Sequence, residues 1–199
     1  RPTADDVADL VARVLPVVVT IEAREGPFTT DGPPRGSVGT GFFFRSDGLI
    51  LTNEHVLPES GTVRVVLQNG TRLEATIVGR DPWDDFAVLR ATGGPFPTLE
   101  LGDSDAARLG EPVVAIGSPL NFRNTVTTGV VSGTGREFPK SVNSEAGPLS
   151  VPLRGMLQTD AAINSGNSGG GRCSTCTAGS SGSIPRCAAT RRTSDSRWP

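Results

Sequence analysis

Residues 163–182 read INSGNSGGGRCSTCTAGSSG, and the fold turns on how the first half of this stretch is taken. Glycines 166, 169 and 170 bracket Ser168. They let the backbone turn sharply, so that the hydroxyl projects and neighbouring amides converge. The N–H groups of Gly166 and Ser168 could then aim at one point, the arrangement an oxyanion requires. A flexible Gly/Ser turn accounts for the same letters. The stretch therefore acquires meaning only from partners elsewhere in the chain.

The first partner is the single histidine, His55, in LTNEHVL (51–57). A lone histidine is commonly structural or exposed. This one follows a β-branched run at the point where a turn would begin. An imidazole can take and return a proton near neutral pH, as activation of a serine hydroxyl demands. The second partner lies in DPWDDFAVLRA (81–91). The apolar run from Phe86 to Leu89 makes Asp85 the first residue of a buried strand. A carboxylate there could orient an imidazole and stabilise its protonated form. Asp81, Asp84 and Asp85 also suit a turn, and Asp84 competes with Asp85 from one step further out. Taken together, the chain order His55, Asp85, Ser168 is that of the chymotrypsin-like double barrel, not of α/β-hydrolases or subtilisins.

The remainder of the chain fits an all-β domain. Its 199 residues include 25 glycines, 16 prolines and no tyrosine. Short apolar runs separated by such turn residues predict hairpins. Asp47-Gly48 separates SVGTGFFFRS (37–46) from GLILTN, and Asn69-Gly70 separates TVRVVL (62–67) from TRLEATIVG (71–79). DFAVLRA (85–91), PVVAIGS (112–118), TVTTGVVSGTGRE (125–137) and RGMLQTDA (154–161) continue the series, with 136–152 read as a long exposed loop. One helix precedes them. Val7, Leu10, Val11 and Val14 form an i, i+3, i+4, i+7 stripe that Pro16 ends, and VVVTIEA (17–23) follows as a strand. The expected layout is a first barrel over about 17–92 and a second over about 97–170, with the active groups in the cleft between them.

Charge and cysteine usage narrow the function classes. Nineteen basic and 21 acidic residues leave a net charge of −2, which gives no electrostatic argument for nucleic acid or an anionic membrane. The longest apolar stretches, such as VLPVVVTI (14–21), are too short to span a bilayer. The chain opens on Arg1 without a signal-like segment and is read as mature or trimmed, any targeting segment being out of view. All three cysteines, at 173, 176 and 187, lie beyond the catalytic signature, so the body needs no disulfide.

These motifs carry a resemblance. GTGFFF (39–44), DGLILTNEHVL (47–57), DFAVLR (85–90), LGDSDAARLGEPVVAIGSP (101–119), NTVTTGVVSG (124–133) and LQTDAAINSGNSGG (157–170) stand in the order found in the HtrA/DegP serine endopeptidases, which the chain resembles from residue 4 to Gly170. The resemblance implies a trypsin-like protease domain in an extracytoplasmic compartment. It implies ATP-independent degradation of unfolded or misfolded polypeptides, without metal or other cofactor, through an acyl-enzyme. His55 is then the general base, Asp85 its orienting acid and Ser168 the nucleophile. Gly166, Asn167 and Ser168 form the oxyanion loop. Segments 117–120 and 124–129 shape the second barrel near the cleft. A small apolar residue before the cut and a homotrimer are further implications, with Phe28 the nearest aromatic candidate for the trimer contact. PDZ domains follow the protease in family members, and this chain carries none.

From Gly171 the resemblance stops. Family members continue with proline and two apolar strands, whereas this chain reads GRCSTCTAGSSGSIPRCAATRRTSDSRWP. A shift of reading frame within codons 169–171 accounts for the difference. Read from the third base of each codon, the tail permits P-L-L-N-L-H-G-R-V-I-G-I-N-T-A-V. Cysteine codons and TCN serine codons begin with T, which becomes a second-position T, and that position encodes only apolar residues. On this reading 171–199 is disordered and the second barrel is incomplete. A catalytically impaired relic or a non-catalytic binder of unfolded chains is then the alternative to an active protease. Zinc on Cys173, Cys176 and Cys187 is the rival account of the tail. It lacks a fourth ligand, because the one histidine is committed elsewhere.

Overall fold

The apolar stripe at the N-terminus becomes helix α1 (Ala4–Val14), with Leu10 and Val14 buried and Val7 and Val11 packed beside them. Pro16 does not simply end it. Leu15–Val17 form a 3-10 turn, so strand β1 begins at Val18. The computed structural model describes residues 4–26, 36–117, 125–144, 147–162, 176–179 and 186–187. No helix among these is long and apolar enough to cross a membrane.

Strands β1 (Val18–Arg24), β2 (Gly36–Phe43), β3 (Leu49–Asn53), β4 (Thr62–Val66), β5 (Arg72–Asp81) and β6 (Phe86–Ala91) close into a barrel of order β1-β2-β3-β6-β5-β4. Closure removes both free edges. Both glycine-containing turn signals lie between paired strands, with Gly48 at φ 95° and Gly70 at φ 82°. Val19, Ile21, Phe43, Ile50, Val65 and Leu89 are fully buried in the shared core.

Several contacts hold the chain to this barrel as it leaves. Phe96 stacks on Phe43 with ring centroids 4.3 Å apart, and the Phe96 and Leu99 amides donate to Ser46 and Phe43 carbonyls. The second sheet then forms from β7 (Glu100–Leu101), β8 (Pro112–Gly117), β9 (Thr125–Ser144), β10 (Gly147–Thr159), β11 (Cys176–Gly179) and β12 (Arg186–Cys187), in the order β10-β9-β8-β11-β12-β7. Among the described residues it is not closed, so they form an all-β arrangement with one complete barrel and one open sheet. Strand β8 joins the two halves. Its Val114 and Ile116 enter the first core, while Val113 and Ala115 pack with Val131 and Ala161 in a second cluster, as the alternation of a strand dictates.

Two expectations are corrected here. Residues 136–144 and 147–152 are not loop but parts of the paired strands β9 and β10, in register from Leu153↔Phe138 to Gly147↔Ser144. Most of their side chains are exposed, so backbone pairing rather than an apolar pattern defines them. The tail is not without strands either. Cys176–Gly179 pairs antiparallel with β8, and Arg186–Cys187 pairs parallel with β7. A ladder needs backbone N–H and C=O groups, which small polar residues supply as well as apolar ones.

Candidate active site

Strand register brings the first two candidates together. Asn53, the last residue of β3, pairs with Phe86, the first of β6. One step beyond that pair, the Glu54 amide donates to the Asp85 carbonyl at 3.2 Å. Glu54–Val56 then turn as a single 3-10 unit, closed by the Leu57 amide on the Glu54 carbonyl, and carry His55 over Asp85. Ser37 braces this turn through the Val56 carbonyl, and Arg80 braces it through the Pro58 carbonyl and Glu54.

Asp85 is the only non-glycine residue at positive φ among those described, at 62°. Aspartate tolerates this left-handed region better than most residues. The conformation allows one residue to act twice. Its carbonyl accepts from Glu54 and from Asn53 Nδ2, while its carboxylate reaches the histidine. The Asp81 carboxylate caps the turn by accepting from the Trp83 and Asp84 amides, whereas the Asp85 carboxylate reaches His55.

Asp85 Oδ2 lies 2.8 Å from His55 Nδ1, and Oδ1 lies 3.0 Å from Nδ1 and 3.1 Å from the His55 backbone nitrogen. An ionised carboxylate only accepts, so the Nδ1 position carries the proton and Nε2 is left as an acceptor. Nε2 is buried and has no hydrogen-bond partner among the described residues. An imidazole in this tautomer and orientation can take a proton at Nε2 while the carboxylate stabilises the imidazolium that results.

Two groups around the carboxylate were not legible in the sequence. Asn53 Nδ2 approaches Oδ2 at 3.3 Å, and Lys140 Nζ, from β9, lies 2.9 Å from Oδ1. Asn53 stands two residues from His55 in the same motif. Lys140 carried no signal, because a lysine in a polar stretch reads as solvated. Burial alone would push the Asp85 carboxyl up. The hydrogen bonds from His55 and Lys140, with the charges of both groups, outweigh it and hold the carboxyl below its usual 3.8.

Ser168 and the Gly166-Asn167-Ser168 loop lie outside the described residues, as do Phe28, Cys173 and segment 118–124. The approach to that loop is described. Asp160 accepts from the Val130 amide at 2.7 Å, Thr127 Oγ1 donates to the Ala162 carbonyl, and Thr159 Oγ1 accepts from the Ala161 amide. Strand β9 thus holds the segment that leads into residue 163. Among the described residues no cluster of His, Cys, Asp and Glu could hold a metal ion.

Comparison with known proteins shows the family. Residues 39–178 match the trypsin-like peptidase domain. A Pseudomonas putida protein named "Probable periplasmic serine endoprotease DegP-like" is 45% identical over 134 residues, 67% of this chain and 26% of that protein. "Serine protease HTRA2, mitochondrial" from Bos taurus is 44% identical over 168 residues, 82% of this chain and 35% of that protein. The chain therefore spans roughly a quarter to a third of the length of these relatives.

Proposed function

We propose, for a chain that belongs to the trypsin-like peptidase family and carries an HtrA/DegP-type protease domain, that it is a serine endopeptidase acting through His55, Asp85 and Ser168. The observation that carries this reading is the His55–Asp85 couple, with Nδ1 2.8 Å from a carboxylate oxygen that is almost wholly buried. Ser168 attacks the scissile carbonyl while Nε2 takes its proton. The amides of the 166–168 loop stabilise the oxyanion. The imidazolium then protonates the leaving amine, and water releases the acyl group by the reverse proton path.

Unfolded or misfolded polypeptide is the substrate class proposed, with a small apolar residue before the cut. An extracytoplasmic site of action is proposed from the periplasmic relatives, although the bovine relative is named mitochondrial. A homotrimer is the proposed assembly.

The deciding experiment is labelling of the full chain with a fluorophosphonate probe, beside Ser168→Ala, followed by digestion of unfolded casein. Labelling and cleavage by the parent alone are expected. A folded parent that neither labels nor cleaves would overturn the proposal.

A further inference from the structure

Among the described residues, the lysine on β9 is the one buried cation that the proposed mechanism does not use. Its side chain is 8% exposed and that of Asp85 is 5% exposed. Nζ lies 2.9 Å from Asp85 Oδ1 and 2.7 Å from the Pro82 carbonyl. An ammonium is costly to bury unless it is paired and hydrogen-bonded, and both conditions are met here by groups of the first barrel. The lysine itself belongs to the second sheet, at the position that pairs with Val151. It therefore reaches across from one half of the molecule to the triad carboxylate in the other.

The placement of the contact on the carboxylate matters. Oδ1 accepts from Lys140 Nζ and from the His55 backbone amide, which leaves Oδ2 to make the shorter bond to Nδ1. Asn53 donates to the same Oδ2 at 3.3 Å. In the state that accepts a proton His55 carries no charge. Lys140 is then the one full positive charge paired with Asp85 among the described residues. With only the neutral donors of His55 and Asn53 around it, this buried carboxylate would take up a proton more readily and lose one of its two ties on Oδ1. The ammonium on Oδ1 opposes both changes.

We propose that Lys140 is a positioning residue of the triad, its ammonium fixing the buried Asp85 carboxylate so that Oδ2 faces His55 Nδ1. This rests on the reading of His55 and Asp85 as the proton-handling pair of a serine endopeptidase. Lys140 touches no substrate and acts only through Asp85.

The test uses the full chain and four forms: parent, Lys140→Met, Lys140→Gln and Lys140→Arg. Two readouts need no activity. One is the acid titration of the Asp85 carboxyl carbon by NMR, its signal identified by Asp85→Asn. The other is the low-field proton of the His55–Asp85 hydrogen bond. The expected result is an upward midpoint and a displaced low-field proton in both uncharged variants, with Lys140→Arg close to the parent. In the same variants kcat falls about tenfold with KM within about twofold, and arginine restores it. Unchanged NMR signals in Met and Gln variants would overturn the proposal. So would shifted signals with an unchanged kcat, or loss of the β-sheet dichroism in both uncharged variants, either of which makes Lys140 a tie of the fold. A parent that fails to label at Ser168 sinks the protease reading instead, and the two NMR readouts still decide what Lys140 does to Asp85.

Discussion

At the scale of single residues, Asp85 concentrates most of the chemistry. It combines a left-handed backbone, near-complete burial and bonds from His55 and Lys140. Asp85→Asn keeps the shape but offers an amide NH₂ to Nδ1, which favours the wrong imidazole tautomer. A fall in kcat of about 10⁴-fold is expected, read by steady-state hydrolysis of a peptide ester or casein. The same residue sets a pH dependence. Its folded carboxyl titrates below the usual 3.8, so the unfolded chain binds the proton more readily. The stabilisation it contributes is present above that value and is lost as pH falls through the folded one. The groups facing Asp85 are His55 from the 3-10 turn and Lys140 from β9. Melting curves of parent and Asp85→Asn should therefore converge below about pH 4. A gap that stays constant down to pH 2 would contradict the sign of this argument.

At the scale of elements, the histidine turn is held by close approach rather than by its own length. Three residues of 3-10 helix have little intrinsic stability. Gly39 on β2 makes the approach possible, because a Cβ there would lie 2.6 Å from both Val56 methyls. That explains the first glycine of GTGFFF in physical terms. Gly39→Ala should displace the turn that carries His55, cost about 1–3 kcal/mol by overpacking, and lower kcat with the nucleophile intact. Thermal melting and probe labelling read both effects. The β9–β10 hairpin shows the opposite balance. It is long and well paired, yet its sequence gives little sign of it. Phe138 and Leu149 are exposed, and the proline at 152 pairs with the one at 139. A period-2 apolar pattern was absent because neither face of most of the hairpin is buried.

At the scale of the whole molecule, the open second sheet is the feature that departs most from a pair of closed barrels. Strand β11 occupies the edge of β8 that would otherwise be bare, with Thr177 opposite Ala115. Thr177→Pro removes a backbone N–H and disfavours regular strand pairing there. A clear drop in melting temperature is expected, and no change would mean that β11 adds nothing to the sheet. The origin of the tail has its own test. Codons 171–186 should permit P-L-L-N-L-H-G-R-V-I-G-I-N-T-A-V in the shifted frame, and a coding sequence that does not permit it removes the frame-shift reading.

The sequence by itself determined the all-β class, the N-terminal stripe, the two glycine turns and the single histidine as the one imidazole on offer. Each of these is written in local letters: period-3.6 or β-branched runs, Asp-Gly and Asn-Gly pairs, and a unique imidazole. Only the tertiary structure decided which aspartate meets the histidine, because that follows from Asn53 pairing with Phe86 across the barrel. It alone placed Lys140 on Asp85, since a contact between residues 140 and 85 leaves no periodic trace in either segment. The hairpin at 136–152 and the strands of the tail belong with these. Backbone hydrogen bonds hold them, and every residue type except proline brings the same donor and acceptor to a ladder.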